Sequence, residues 1–223
     1  MILALNTAEP MHELALLRAN PANPGEFELI AEKTWPDERR DVDTLAPFLQ
    51  ELLDGAGLSK AEITDVVVAQ GPASFTSLRT GVAFANALAY GLGAKIYALN
   101  TFTMLRRKAA VTAPTLIILH AGRMDVGVKF EDEAVKVGSL AALLKDYPHQ
   151  NIHVIADLPE ALNDELSSIV LEKNWTRVQG HELQSLAEMI MTFGLTDLEA
   201  VETVEPAYLR GPHITVSTDP WKK

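Results

Sequence analysis

Residues 66–81 constrain the fold of this chain more than any other stretch, because they join a wholly apolar strand to a helix through a Gly-Pro turn. Residues 66–69 form a short apolar run, which is typical of a strand buried on both faces in a parallel sheet covered by helices. Gly71-Pro72 ends the run. Small and apolar residues then continue at helical spacing over 75–92, with Ser74 as the predicted N-cap. The stretch therefore predicts an α/β protein.

Patterns elsewhere predict the remaining elements. Three short apolar segments separated by turn residues, at 1–5, 12–18 and 26–35, predict an antiparallel meander. A helix over 42–56 follows, although Pro47 favours a start nearer Ala46. The other predicted elements are strands at 95–99, 115–120, 126–130 and 152–156 and helices at 101–110, 139–146 and 181–193, with 157–180 left unassigned and 217–223 expected to fray. The order of the first half resembles the half-domain of the ribonuclease H-like and actin-like ATPase superfamily.

Composition excludes several classes of function. The 19 Lys+Arg and 30 Asp+Glu residues give a formal charge of −11, which repels nucleic-acid backbones and anionic membranes at long range. Cysteine is absent, so disulfides, thiolate catalysis and zinc–sulfur sites are excluded. The sequence contains neither a signal-peptide pattern nor an apolar run approaching the roughly 20 residues of a spanning helix. We expect a cytoplasmic protein without membrane contact.

The loop before the central helix has two interpretations. Its Gly71, Ser74, Thr76 and Ser77 bring N–H groups and hydroxyls to a helix N-terminus, where the helix dipole favours an anion, and Arg79 adds a positive charge. This pattern predicts a phosphate-binding loop. The alternative is an ordinary turn with a capping serine and a surface arginine, because the P-loop lysine is missing. Local chemistry leaves both open.

Four sequence blocks resemble the bacterial TsaB (YeaZ) family in order and spacing. They are Ile2-Leu3-Ala4-Leu5-Asn6-Thr7-Ala8, Gly71-Pro72-Ala73-Ser74-Phe75-Thr76-Ser77-Leu78-Arg79-Thr80-Gly81, His120-Ala121-Gly122-Arg123-Met124-Asp125-Val126 and Pro206-Ala207-Tyr208-Leu209-Arg210. The second block is the most specific. The resemblance implies an actin-like ATPase (ASKHA, ribonuclease H-like) fold, in which helices cover a mixed sheet. It also implies two lobes. The basic run at 106–108 and Pro114 mark a boundary between them, which gives an N-terminal lobe at 1–108 with the partner-binding helices and a smaller, divergent lobe at 109–223.

The resemblance also implies a function. Proteins of this family act with the related TsaD and the small ATPase TsaE to make threonylcarbamoyladenosine beside the anticodon of tRNA. A divergent member is expected to be a non-catalytic subunit that binds a TsaD-like partner, meets tRNA only through the complex and can pair with a second copy of itself. No cofactor is firmly implied, and ATP or ADP with Mg²⁺ is expected to bind only weakly or at the partner interface.

Departures from the family pattern bear on nucleotide chemistry. Asn6 stands where actin-like ATPases have a carboxylate near the metal and phosphates, and a neutral amide is a weaker Mg²⁺ ligand. Ala73 and Ser77 replace glycines, and His120-Ala121-Gly122 replaces Asp-Ala-Arg. The phosphate loop that the resemblance suggests would combine Asn6 and Thr7 with the residues of the Gly71–Ser77 turn and Arg79. Replacing Asn6 by Asp is expected to raise Mg²⁺-nucleotide affinity.

No metal site is expected. TsaD-type catalysts carry a His-x3-His metal pair whose positions correspond to Thr101 and Leu105, and neither side chain is a useful ligand for a catalytic metal. The same spacing recurs at His149 and His153, but a strand is predicted to begin at Ile152, so the two rings would not share a helical face. We interpret both as surface or packing histidines.

Two polar groups are predicted to be structural. His120 and Asp125 resemble a base and its orienting carboxylate, but no nucleophile is tied to them. Residues 106–108 are Arg-Arg-Lys, which in an acidic chain is more typical of a solvated helix end than of an RNA contact. Neither group is assigned to a catalytic role.

The predicted partner-binding surface is formed by a pair of helices. The apolar arc of the first exceeds what one sheet contact requires, and excess apolar surface indicates a protein interface. The predicted interface residues are Leu45, Phe48, Leu49, Leu52 and Leu53 on the first helix and Phe75, Leu78, Val82, Ala85 and Ala89 on the second. Ordinary core is the alternative for both. For the whole chain, the alternatives are an actin-like ATPase or small-molecule kinase that uses the Gly71–Ser77 loop, and a self-associating binding protein.

Overall fold

The chain contains eleven strands and six helices across the residues that the computed structural model describes, namely 1–23, 25–38, 41–147, 151–195 and 197–211. The strands are β1 (Ile2–Asn6), β2 (Met11–Ala19), β3 (Phe27–Pro36), β4 (Asp65–Gly71), β5 (Lys95–Asn100), β6 (Thr115–His120), β7 (Asp125–Phe130), β8 (Lys136–Ser139), β9 (His153–Asp157), β10 (Thr176–Arg177) and β11 (Ala200–Val201). The helices are α1 (Asp41–Ala56), α2 (Phe75–Leu92), α3 (Thr101–Lys108), α4 (Leu140–Leu144), α5 (Glu160–Lys173) and α6 (Leu186–Phe193). Short 3-10 turns occupy Lys60–Glu62 and Gly180–Glu182.

The first sheet has the strand order β11-β5-β4-β1-β2-β3. Strands β1, β4 and β5 run parallel, whereas β2, β3 and β11 are antiparallel to their neighbours. Residues 66–69 of β4 are completely buried, as their uninterrupted apolar sequence predicts for a central strand covered on both faces. Helices α1, α2 and α6 contact this sheet and supply residues to one shared core.

The second sheet has the order β10-β9-β6-β7-β8. Strands β6, β9 and β10 are parallel, and β6, β7 and β8 form an antiparallel meander. Its apolar residues form two clusters, one shared with α4 and α5 and one that faces α3. Because α3 also contacts β4 and β5, it is the helix that lies between the two sheets.

Most predicted elements of the first half are confirmed. Strands β1–β3 form the predicted antiparallel meander, and α2 covers the predicted 75–92. Pro47 lies inside α1 rather than delaying its start. The lobe boundary at 108 stays a prediction, and α6 and β11 return from the second half of the chain to the first sheet.

The second half departs further from the predictions. Residues 157–180, left unassigned, contain the fourteen-residue helix α5, whose polar sequence buries only Leu162, Leu166 and Lys173 and so carries a weak apolar period. The helix predicted over 181–193 begins only at Leu186, where Ser185 and Glu188 form a capping box. Strands β8 and β11 were not predicted, because they are short and exposed. The terminal fraying expected at 217–223 lies outside the described residues.

Helix α2 approaches β1 closely at Gly81. A Cβ built there would lie 2.1 Å from Thr7 Oγ1, and that hydroxyl donates a hydrogen bond to the carbonyl of Ser77. We expect Gly81→Ala to destabilise the fold by about 1–3 kcal/mol, through overpacking that separates helix from strand. The matched control is Gly91→Ala in the same helix, where a Cβ meets nothing within 4 Å and alanine should stabilise by about 0.5–1 kcal/mol. Urea denaturation measures both, and equal shifts of the midpoint would contradict the assigned contact.

No helix among the described residues is long and apolar enough to cross a membrane.

Candidate functional site

The carboxyl ends of the parallel strands face a cleft between the two sheets. A cavity of about 280 Å³ is lined by residues 72–75 after β4, residues 120–122 after β6, and residues 208–211. A second cavity of about 310 Å³ continues it toward Ala8 and residues 157–159. The crevice outside the carboxyl ends of parallel strands is where open α/β sheets bind ligands, so this cleft is the place at which the predicted phosphate loop would act.

The end of the described chain occupies much of the cleft. We call residues 204–211 the strap. Asn86 of α2 exchanges two hydrogen bonds of 2.9 Å with the backbone of Val204, and the amide of Ala207 donates to the carbonyl of Gln70 at 2.7 Å. On the second sheet, Arg210 pairs with Asp125 at 2.7 Å. The strap therefore crosses from one sheet to the other beside the loop.

The strap uses several residues of the predicted phosphate loop. Gly71 has φ of +100°, and a Cβ there would lie 2.5 Å from the carbonyl oxygen of Ala207. The Phe75 and Tyr208 rings stack with centroids 4.2 Å apart. Arg79 lies over Phe75 and donates from Nε to the Tyr208 hydroxyl at 2.8 Å. The guanidinium group of Arg79 is thus held by two aromatic rings of the chain itself.

The hydroxyl side chains at the loop differ in burial and in hydrogen bonding. Ser77 is buried and donates to Asp37 Oδ1 at 3.1 Å. Thr7 is also buried and donates to the Ser77 carbonyl at 3.0 Å. Ser74 takes the N-cap position of α2, as predicted, but its side chain makes no capping hydrogen bond. Only Ser74 and Thr76 of these hydroxyl residues are exposed.

Asn6, the residue that replaces the expected carboxylate, lies at the centre of a buried polar cluster. Its Nδ2 donates to Glu9 Oε2 at 2.6 Å and to Glu13 Oε2 at 2.7 Å. Lys108 of α3 donates to the same two oxygens, at 2.5 Å and 2.8 Å. Glu13 also accepts from the amide of Leu186 at 2.9 Å through its other oxygen. We call Asn6, Glu9, Glu13 and Lys108 the inner cluster.

Charge in the inner cluster is balanced only in part. Burial raises the pKa of Glu9 above its usual value, although Lys108 opposes that change. Burial would lower the pKa of Lys108, but the two carboxylates outweigh it and raise that pKa above its usual value. Lys108 is therefore charged at neutral pH, and the stability it contributes is lost only as the pH rises through its raised pKa. An amide at position 6 suits this cluster because it donates where a third carboxylate would repel.

The interpretation of residues 106–108 as a solvated helix end is wrong for Lys108, which is 4% exposed and belongs to the inner cluster. Arg106 donates to the Val111 carbonyl at 2.8 Å, and Arg107 pairs with Asp197 at 3.0 Å. All three cations have partners within the chain, because α3 lies between the two sheets.

The other candidate polar groups are separated. His120 Nε2 lies 2.9 Å from the Arg123 carbonyl oxygen, whereas Asp125 pairs with the strap, so they do not form a base and its carboxylate. Thr101 and Leu105 are both buried in α3. His149 lies outside the described residues, and His153 is on β9. Among the residues described, no three His, Cys, Asp or Glu side chains are grouped to hold a metal.

The residues of the predicted interface fall into two groups. Leu45, Leu49, Leu53, Leu78, Val82, Ala85 and Ala89 are buried in the core of the first sheet, whereas Phe48, Leu52 and Phe75 are partly exposed. Within this chain, the seven buried residues are therefore core residues, as in the alternative interpretation. The apolar arc is wide because each helix contacts both the sheet and the other helix.

Glu9 and Glu13 are site residues that were not predicted from the sequence. A signal was present, since Glu13 interrupts the apolar β2, where a buried acid needs a partner. The partner could not be identified, because Lys108 is 95 residues away along the chain.

Comparisons with known proteins identify the relatives of this chain. Residues 30–164 match the family model described as TsaD, tRNA N6-adenosine threonylcarbamoyltransferase. The chain is 32% identical over 105 residues to the tRNA threonylcarbamoyladenosine biosynthesis protein TsaB of Bacillus subtilis, covering 47% of this chain and 42% of that protein. It is 29% identical over 125 residues to an uncharacterized protein of Mycobacterium tuberculosis, covering 56% of each. The chain thus spans about half the length of the curated relatives it matches.

The fold comparison covers more of the molecule. The structure of YeaZ from Pseudomonas aeruginosa superimposes with a TM-score of 0.67 at 16% identity, covering 93% of this chain and 99% of that one. The predicted fold class, α/β with mixed sheets and covering helices, is confirmed. Since the TsaD model matches more than half of the chain and relatives named TsaB share its sequence, the chain belongs to that family and is a TsaB (YeaZ) member of it.

Proposed function

We propose that this chain is a non-catalytic subunit that binds a TsaD-like partner and supports threonylcarbamoyl transfer to the adenosine beside the anticodon of tRNA. The observation that carries the proposal is the inner cluster, in which Asn6 takes the place of a metal-binding carboxylate and donates to two carboxylates of the chain itself. A TsaB member with this arrangement contributes to the reaction by assembly. Contact with tRNA, and the involvement of a TsaE-like ATPase, then come through the complex.

The kinase alternative requires a loop that is free to hold phosphate. Arg79 is stacked on Phe75 and bonded to Tyr208, and Gly71 is covered by the strap. A phosphate that used the Arg79 guanidinium or approached Gly71 would have to displace these contacts. The arrangement therefore favours the assembly function over phosphoryl transfer.

We place the partner surface mainly on α2. This keeps the predicted pair of helices but replaces the buried residues of the prediction with exposed ones. The exposed side of α2 carries Ala83, Ala87 and Tyr90, and Tyr90 is 93% exposed. We call these three residues the outer stripe. Short side chains let a second helix approach closely, and a large aromatic residue is a frequent anchor in protein interfaces. Phe48 and Leu52 of α1, which are partly exposed, belong to the same proposed surface.

A charge on the outer stripe tests the proposal. We expect Ala87→Glu to weaken capture of the TsaD-like subunit by at least about tenfold, because an interface would bury an unpaired carboxylate. Binding by calorimetry, together with restoration of tRNA modification in cells that lack the chain, measures the effect. The fold should be unchanged, because Ala87 is exposed.

Two controls separate interface from folding. Leu171→Glu changes a residue that is 84% exposed on α5 and should leave capture intact. Ala85→Glu, on the buried side of α2, should unfold the chain. If a folded Ala87→Glu protein captures the partner with wild-type affinity, the outer stripe is not the interface.

A further inference from the structure

The strap runs beside the outer stripe of α2. Asn86 fixes the strap at Val204 through two hydrogen bonds of 2.9 Å, and Arg79 fixes it at Tyr208 through a third of 2.8 Å. The helix rises about 10 Å between Arg79 and Asn86, and the chain from Val204 to Tyr208 reaches about 13 Å when it is extended. The strap therefore follows the axis of α2 as a largely extended chain for about two helical turns.

The spacing of residues along α2 places the strap next to the outer stripe. With a rotation of about 100° per residue, Arg79 and Asn86 lie about 20° apart around the helix, and Ala83 and Tyr90 lie within about 60° of Asn86. Two packed helices have axes about 8–10 Å apart, and each helix is about 10 Å wide. A helix that is seated on the outer stripe therefore contacts the strap as well as α2.

Tyr208 has the properties of an interface anchor. Its ring stacks on Phe75 with centroids 4.2 Å apart and planes at 9°, its hydroxyl accepts from Arg79, and the residue is still partly exposed. A ring that is already held loses little conformational freedom on binding, and tyrosine is among the residues that most often dominate interface energies. Since Arg79 and Tyr90 are about 16 Å apart along α2, Tyr208 and Tyr90 mark the ends of a surface about three helical turns long.

Charge on the strap side of this surface indicates the chemistry of the partner. Glu202, just before the strap, and Glu205, within it, are exposed. Neither carboxylate has an ion pair among the described residues. Complementary charge across an interface favours the right partner and repels others. The flank of the partner that faces the strap should therefore be basic, and the face that meets Ala83 and Ala87 should consist of small residues.

We propose, on the basis of the function proposed above, that the strap is one wall of the surface that captures the TsaD-like subunit and that Tyr208 is an anchor of this surface. The occupant is a helix of that subunit, with small residues toward α2 and basic residues toward the strap. The strap is also fastened to the second sheet, because Arg210 pairs with Asp125. Both halves of the chain thus contribute to capture, in addition to the pair of helices α1 and α2.

Hydrogen exchange of the full chain, alone and with an excess of the TsaD-like subunit, locates the surface. We expect capture to slow exchange in residues 204–211 and in α2, and to leave exchange unchanged in β8 at the outer edge of the second sheet. Protection of α2 without any protection of the strap would overturn the proposal for the strap while the proposed function stands. Absence of capture by the wild-type chain would overturn both.

Substitutions test the anchor and the charge. Tyr208→Ala should weaken capture at least about tenfold, as expected for an anchor, and Tyr208→Phe, which keeps the stacked ring, by much less. Phe193→Ala is the matched control and should bind as the wild type does, because Phe193 is an exposed ring beside an arginine but lies on α6. Glu205→Lys should weaken capture, and by less at high salt than at low salt.

Two results would overturn the proposal for the strap even if α2 is the partner surface. The first is wild-type affinity in a folded Tyr208→Ala protein, with thermal melting to show that it is folded. The second is wild-type affinity at every salt concentration in the Glu205→Lys protein, whose fold should be unchanged because Glu205 is exposed. In either case a loss of capture in Ala87→Glu would show that the proposed function stands without the strap.

Discussion

Asn6→Asp should destabilise the chain by about 3 kcal/mol or more, rather than create a Mg²⁺-nucleotide site. The amide donates to two carboxylates at 2.6 Å and 2.7 Å and is completely buried. An ionised carboxylate at this position would lose both hydrogen bonds and add a third negative charge beside Glu9 and Glu13. Urea denaturation at pH 7 measures the loss, and calorimetry with Mg²⁺-ATP tests nucleotide binding.

The pH and a second substitution provide the controls for this variant. A protonated carboxyl can donate in place of the amide, so the loss should shrink as the pH falls toward the usual pKa of Asp, about 3.9. Adding Glu9→Gln returns a donor and restores the charge, and should recover more than half of the lost stability. Wild-type stability combined with a gain in Mg²⁺-nucleotide affinity would instead restore the sequence-based expectation for Asn6→Asp.

Lys108→Met should cost about 3–5 kcal/mol, because it leaves two buried carboxylates facing each other without their cation. The side chain of Lys108 is 4% exposed, and those of Glu9 and Glu13 are 14% and 10% exposed. Glu13 also accepts from the first amide of α6, so the ends of β1, β2, α3 and α6 all depend on this cation. The loss should be largest above neutral pH, where both acids are ionised.

The neighbouring arginine provides the matched control. Arg107→Met removes a cation from the same turn of α3, but its partner Asp197 is 70% exposed, so the cost should stay within about 1 kcal/mol. A chemical-denaturation series of the two variants compares them directly. Similar losses would mean that the inner cluster is solvated and does not hold the two halves of the chain together.

The local sequence pattern was enough to predict those strands and helices whose buried residues recur at one regular spacing. The apolar run of β4 and the small-residue spacing of α2 are of this kind, and the antiparallel meander follows from turn residues between short strands. Helix α5 was missed because it buries few side chains, and β8 and β11 because edge strands of two to four residues carry little pattern.

The site was harder to predict than the fold. Asn6 and Arg79 were singled out from the sequence, but their roles depend on contacts with residues far along the chain. Arg79 meets Tyr208 across 129 positions, and Lys108 meets Glu9 across 99. Such pairs leave no local trace, so a loop that looks suited to phosphate is in fact engaged by the chain itself. The same limit applies to α1 and α2, where the spacing shows that an apolar stripe exists but does not show what covers it.

The strap has a mechanical consequence for the molecule. Proteins that close around a ligand do so by rotating two bodies about a few hinge residues. Here Gln70 and Asn86 hold the strap on one side of the cleft, while Asp125 holds it on the other and Leu209 lies against Gly127. Rotation of one sheet against the other would have to break these contacts together, whereas a free hinge would bend at a single point. The strap therefore resists rotation of one sheet against the other, and we expect the partner surface proposed on α2 to keep one shape.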